Sequence, residues 1–61
     1  MLGERMRARE LKAARKRLGL SQQALADTLE VHRVTVNLYE TGKDPIPQAI
    51  TLAVECLRKT A

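Results

Sequence analysis

Two glycines and a serine set the frame for this chain. Gly19 is followed two residues later by Ser21, and Gly42 follows a run with no glycine or proline since Gly19. A glycine just past an apolar run is where a helix ends, and a serine just before the next run is where one begins. The stretches between these marks are too short to be stable helices on their own in water. They hold only if their apolar faces pack together. Nowhere does the sequence alternate apolar and polar for long, so strands find no support.

The apolar spacing predicts four helices. Residues about 4–18 carry Leu11, Ala14 and Leu18 on one face, with Met6 extending it. Gln22, Gln23 and Ala24 open a second helix with Leu25, Ala26 and Leu29 apolar. A turn at Glu30-Val31-His32 leads to a third, about 33–41, with Val36 and Tyr39 inward. Lys43-Asp44-Pro45-Ile46 reads as a loop, and Pro47 suits the first turn of a fourth helix, about 47–59. The expected fold is all-α: one compact domain over residues 1–61, of four helices or five, around a central helix-turn-helix at about 22–41.

Several functions are disfavoured at once. A chain of 61 residues buries only about 60% of its unfolded surface and leaves little room for a walled substrate pocket. No paired carboxylates, Cys–His pair or phosphate loop points to an enzyme. The longest apolar runs, such as Leu52-Ala53-Val54, fall far short of the roughly 20 residues of a membrane span. The start has no apolar core of a secretory signal. The single cysteine, Cys56, has no partner for an internal disulfide, and with His32 alone it makes no structural zinc site, so no metal or cofactor is expected. A reducing cytoplasm fits. Cys56 is expected to be a small buried hydrophobe, and His32 a surface residue at a helix start.

The formal net charge is +4, and it is uneven. Arg5, Arg7, Arg9, Lys12, Arg15, Lys16 and Arg17 stand against Glu4 and Glu10 in the first third. The remainder is nearly neutral. A basic block beside a neutral body suits a polyanion. Tyr39 is the only aromatic residue, so stacking platforms for single strands are absent and duplex DNA is the better partner. The basic start reads equally as an arm along DNA or as a solvated helix face.

Residues 22–41 carry the most specific pattern. Two short helices with narrow apolar faces, joined by a brief turn, can cross steeply when a small residue sits at the crossing, here Ala26. Arg33, Val34, Asn37 and Leu38 then fall on the outer face of the third helix. Arginine can pair with guanine, asparagine with adenine, and an apolar side chain can meet a thymine methyl.

The segment from Gly19 to Pro47 resembles the phage-repressor and Cro-like (Xre-type) helix-turn-helix family. Gly19, Leu20, Ser21, Gln22, Leu25, Ala26, Leu29, Val31, Thr35, Val36, Tyr39, Glu40, Gly42, Lys43 and Pro47 carry the likeness. With the flanking helices it covers roughly residues 9–58. In size the chain resembles minimal autorepressors of phages and mobile elements, and a bacterial or phage origin follows from that. The resemblance implies an operator-binding transcriptional regulator, usually dimeric. It implies phosphate contacts from Ser21 and Gln22, with Thr35, Thr41 and Lys43, and His32 nearby. Arg33, Val34, Asn37 and Leu38 would face the major groove. Arg15 and Glu40 match a pair that commonly forms an ion pair between the first and third helices. Two departures stand out. Glu30 occupies the usual glycine of the turn, at a cost of roughly 1 kcal/mol if its φ is positive. Val34 and Leu38 are less polar than usual on the reading face, which suggests apolar contacts to thymine methyls or a partly water-free interface.

The fourth helix carries two apolar stripes. Ile50, Val54 and Leu57 serve the core. Ala49, Leu52 and Cys56 form a second, expected to bury against another copy in a symmetric homodimer. No ligand-sensing second domain is expected. The competing reading is an antitoxin-like protein-interaction module whose DNA binding is secondary. Non-specific duplex coating and membrane-surface binding rank lower.

Overall fold

Each of the first three helices is followed within two residues by one with left-handed backbone. The computed structural model describes residues 5–60. Among them it holds four α-helices: α1 (Ala8–Arg17), α2 (Gln22–Leu29), α3 (Arg33–Glu40) and α4 (Gln48–Thr60). The left-handed residues are Gly19 at φ 72°, Glu30 at φ 60° and Gly42 at φ 78°. All three close the helix in the same way. The N–H of the next residue reaches back five positions to a carbonyl: Leu20 to Arg15 at 3.1 Å, Val31 to Ala26 at 2.9 Å, Lys43 to Leu38 at 3.1 Å. The left-handed residue itself bonds three back, as Gly19 does to Lys16 at 3.0 Å. This is the Schellman motif, which satisfies carbonyls a helix end otherwise leaves bare. A Cβ placed on Gly19 or Gly42 would meet no atom within 4 Å, so glycine is there for its φ and not for space.

The start of α1 differs from the sequence expectation. Residue 4 lies outside the described residues, and residues 5–7 are not helical. Arg7 is the extended N-cap at φ −89°. Two hydrogen bonds hold the chain open here. The Arg7 N–H donates to Glu10 Oε1 at 2.7 Å, and the Met6 N–H donates to Thr51 Oγ1 at 3.1 Å. Carrying the helix back through these residues would give up both. The basic start is therefore neither a helix face nor a loose arm over residues 5–7; it is an extended strap tied to α4.

α2 begins as its sequence indicates, with Ser21 Oγ accepting from the Ala24 N–H at 3.0 Å. α2 packs on α3 more extensively than any other pair of helices, and α1 packs on α3 and α4. The core draws on every element: Leu11 and Ala14 of α1, Leu25 and Ala26 of α2, Val36 and Tyr39 of α3, Ile46 of the loop, and Val54 of α4. Met6, Leu20, Leu29, Val31, Ile50 and Leu57 pack around it. Leu11, Leu25, Val36 and Val54 are fully buried, each contributing about 1.5–3 kcal/mol. Ile46, which reads as loop in sequence, is buried because the chain after α3 folds back: the N–H groups of Lys43 and Asp44 both bond to the Leu38 carbonyl. Thr51 is a buried polar residue of the core layer, and its hydroxyl also donates to the Pro47 carbonyl at 3.2 Å.

Cys56 is exposed, and not the buried small hydrophobe expected of it. The α4 face that meets the core is set by Thr51 and Val54, and Cys56 lies off it with Ala49 and Leu52.

Glu30 holds a left-handed conformation that glycine adopts without strain. Glu30→Gly should therefore raise stability by roughly 0.5–1 kcal/mol, the steric relief less the added freedom of the unfolded chain. Urea unfolding followed by circular dichroism measures this; no gain would show that the Glu30 side chain stabilises the turn.

Candidate nucleic-acid interface

The site rests on one buried ion pair. Arg15 Nε donates to Glu40 Oε2 at 2.6 Å, and Arg15 Nη2 donates to Glu40 Oε1 at 3.1 Å. The two side chains are only 12% and 3% exposed. A planar guanidinium matches a carboxylate in this two-point fashion, which fixes direction as well as distance. The third guanidinium nitrogen, Nη1, donates to the Leu20 carbonyl at 2.9 Å. Gln22 Nε2 donates to Glu40 Oε1 at 3.2 Å. One cluster thus joins the last turn of α1, the α1–α2 loop, the first residue of α2 and the last residue of α3.

The charges are consistent with this geometry. Burial alone would push the Glu40 carboxyl up, but hydrogen bonds from Arg15 and Gln22 and the charges of Arg15 and Lys12 outweigh it and hold the pKa below the usual range. Glu40 raises Arg15 in turn, chiefly through the hydrogen bond between them.

With its far end pinned, α3 presents a defined outer side. Val36 and Tyr39 point into the core, while Arg33, Val34 and Asn37 are exposed. Thr35 and Leu38 are half-buried. His32 is the exposed N-cap of α3, and its side chain makes no cap hydrogen bond. At the other end Thr41 and Lys43 are exposed, and the Thr41 hydroxyl already donates to the Asn37 carbonyl at 2.9 Å. Ser21 is exposed and half-committed as a cap. Gln22 is half-buried, and its amide is turned to Glu40. That role was not read from the sequence, because the approach of α2 to the end of α3 is not encoded in spacing along the chain. Ala49, Leu52 and Cys56 are exposed together on α4, Leu52 at 56%.

No group of three or more histidine, cysteine or acidic residues could hold a metal among the described residues. Among the described residues, no helix is long and apolar enough to cross a membrane.

Two short helices joined by a tight left-handed turn, the second exposed along one side and braced from behind, define a helix-turn-helix unit. A helix-turn-helix family model matches residues 11–54, and the chain belongs to that family, the Xre/Cro-like DNA-binding regulators. The curated proteins give no match, and neither do the solved structures.

Arg15→Met leaves the Glu40 carboxylate buried without its partner and should cost about 3 kcal/mol, while Arg15→Met with Glu40→Leu should recover much of that loss. The pair's contribution is fully present above the unfolded glutamate pKa of about 4.3 and is lost as pH falls through the lower folded value. Urea midpoints from pH 7 to pH 3 should fall more steeply for the natural protein than for the double variant.

Proposed function

We propose that this DNA-binding regulator is a transcriptional repressor that binds an inverted-repeat operator as a homodimer, with α3 in the major groove. The observation that carries the reading is the outer side of α3: Arg33, Val34 and Asn37 stand exposed there, on a helix whose last residue is held by a buried ion pair. These are residue types suited to base edges. Ser21 and Gln22 begin α2, where helix N–H groups favour a phosphate, and Thr35, Thr41 and Lys43 flank the reading face beside His32. Phosphate contacts of this kind fix register, and base contacts give sequence choice.

The dimer reading rests on α4. Leu52 stands out in the open between Ala49 and Cys56, one helical stripe that the core leaves uncovered. A second copy on this stripe would set two recognition helices about 34 Å apart, one turn of DNA. Control then lies in protein concentration and the dimer equilibrium. The protein acts in the cytoplasm, on the chromosome or a phage genome, without cofactor and without catalysis.

A second reading, the antitoxin-like interaction module, draws on a different surface. Arg17, Leu18, Glu55, Arg58 and Lys59 line a groove between α1 and α4. Arg17 stands two residues from Arg15, so it lies across α1 from the ion pair. A basic groove there suits an acidic protein segment.

Selection of bound duplexes from a random pool, at low and at near-physiological salt, separates the readings. The repressor yields an enriched inverted repeat, with half-sites about 10 base pairs apart, that survives the higher salt. Binding without a motif, lost as salt rises, leaves only charge. On the selected site Arg33→Ala should cost about 1–3 kcal/mol and relax one position, whereas Lys43→Ala should weaken every duplex and lower the salt slope by about one unit. Leu52→Glu should give monomers in sedimentation equilibrium; a persisting dimer would place the seam elsewhere.

A further inference from the structure

The outer side of α3 carries two ridges, each spanning one turn. Arg33 and Asn37 make a polar ridge, and Val34 and Leu38 make an apolar one beside it. Val34 is 61% exposed and Leu38 is half-buried. Single exposed hydrophobics are ordinary on protein surfaces. The place of this one is not. It is the second residue of α3, between Arg33 and Thr35, where it lies outside the core and where a β-branched residue forms helix less well than alanine or glutamate. The first residues of a recognition helix are those that reach the base edges.

The major groove offers one apolar feature among the four bases, the C5 methyl of thymine. Resting on the operator reading above, we propose that Val34, backed by Leu38, selects thymine by that methyl group and not by the hydrogen-bonding edge of the base. The polar ridge supplies hydrogen bonds to neighbouring bases. The apolar ridge covers the methyl and excludes water from it. Uracil keeps every hydrogen-bonding atom of thymine and lacks only the methyl, so it isolates this contact.

The test uses the best duplex from the random-pool selection, with each thymine of one half-site replaced singly by deoxyuridine. Affinities are measured by fluorescence anisotropy at near-physiological salt, for the natural protein and for Val34→Ala. Val34 is exposed, so the variant should keep its fold, and circular dichroism verifies that. At one thymine the uracil duplex should bind about fourfold more weakly, the value of one buried methyl contact. Val34→Ala should bind the thymine and uracil duplexes alike. Equal binding of both by the natural protein, on a duplex still bound in a sequence-specific way, overturns the inference and leaves the operator reading standing. Discrimination that persists in Val34→Ala, or a variant that alters only the oligomeric state, overturns it too. A protein that selects no sequence at all defeats the operator reading first, and this inference falls with it.

Discussion

The Arg15–Glu40 pair is the constraint on which the rest of the structure depends. α2 and α3 are eight residues each, too short to persist alone. Leu25, Ala26 and Val36 hold them together, but apolar contact does not set direction. The ion pair does. It ties α1 to the last residue of α3, and through Gln22 and the Leu20 carbonyl it also fixes where α2 begins. A buried pair of this kind adds little net stability over an apolar replacement. Its contribution here is geometric: it aims the outer side of α3 while keeping two charges out of the core proper.

The turns share one device, and that explains what the sequence reveals and what it hides. Gly19 and Gly42 announce left-handed helix ends openly. Glu30 makes the same turn under a residue that does not announce it, and only the family pattern pointed to it. The start of α1 was not legible, because Arg5, Met6 and Arg7 are compatible with helix. The outcome turned on a cap from Glu10 and on Thr51, a residue 45 positions away. Ile46 and Cys56 differ from expectation in burial alone: Ile46 lies in the loop as its sequence indicates, but the fold-back after α3 buries it, and the rotation of α4 leaves Cys56 exposed.

The site was more legible than the fold's edges. Arg33, Val34 and Asn37 could be placed outward because Val36 and Tyr39 fixed the phase of a single short helix. Gln22 was less so. Its pairing with Glu40 depends on the approach of α2 to the end of α3, which spacing along the chain does not encode. The basic start adds a further consideration. Arg7 and Arg9 sit at the N-terminus of α1, where the helix dipole disfavours cations. Glu10 offsets part of this. Positive charge kept against that cost is consistent with a polyanionic partner.

Under the proposed function, DNA meets the outer side of α3 and its flanks. Amide chemical-shift mapping of the labelled protein, titrated with its selected duplex at near-physiological salt, tests this directly. The largest shifts are expected at Ser21 and Gln22, from His32 to Leu38, and at Thr41 and Lys43. Shifts concentrated instead along Arg17, Glu55, Arg58 and Lys59, with α3 unmoved, would contradict it.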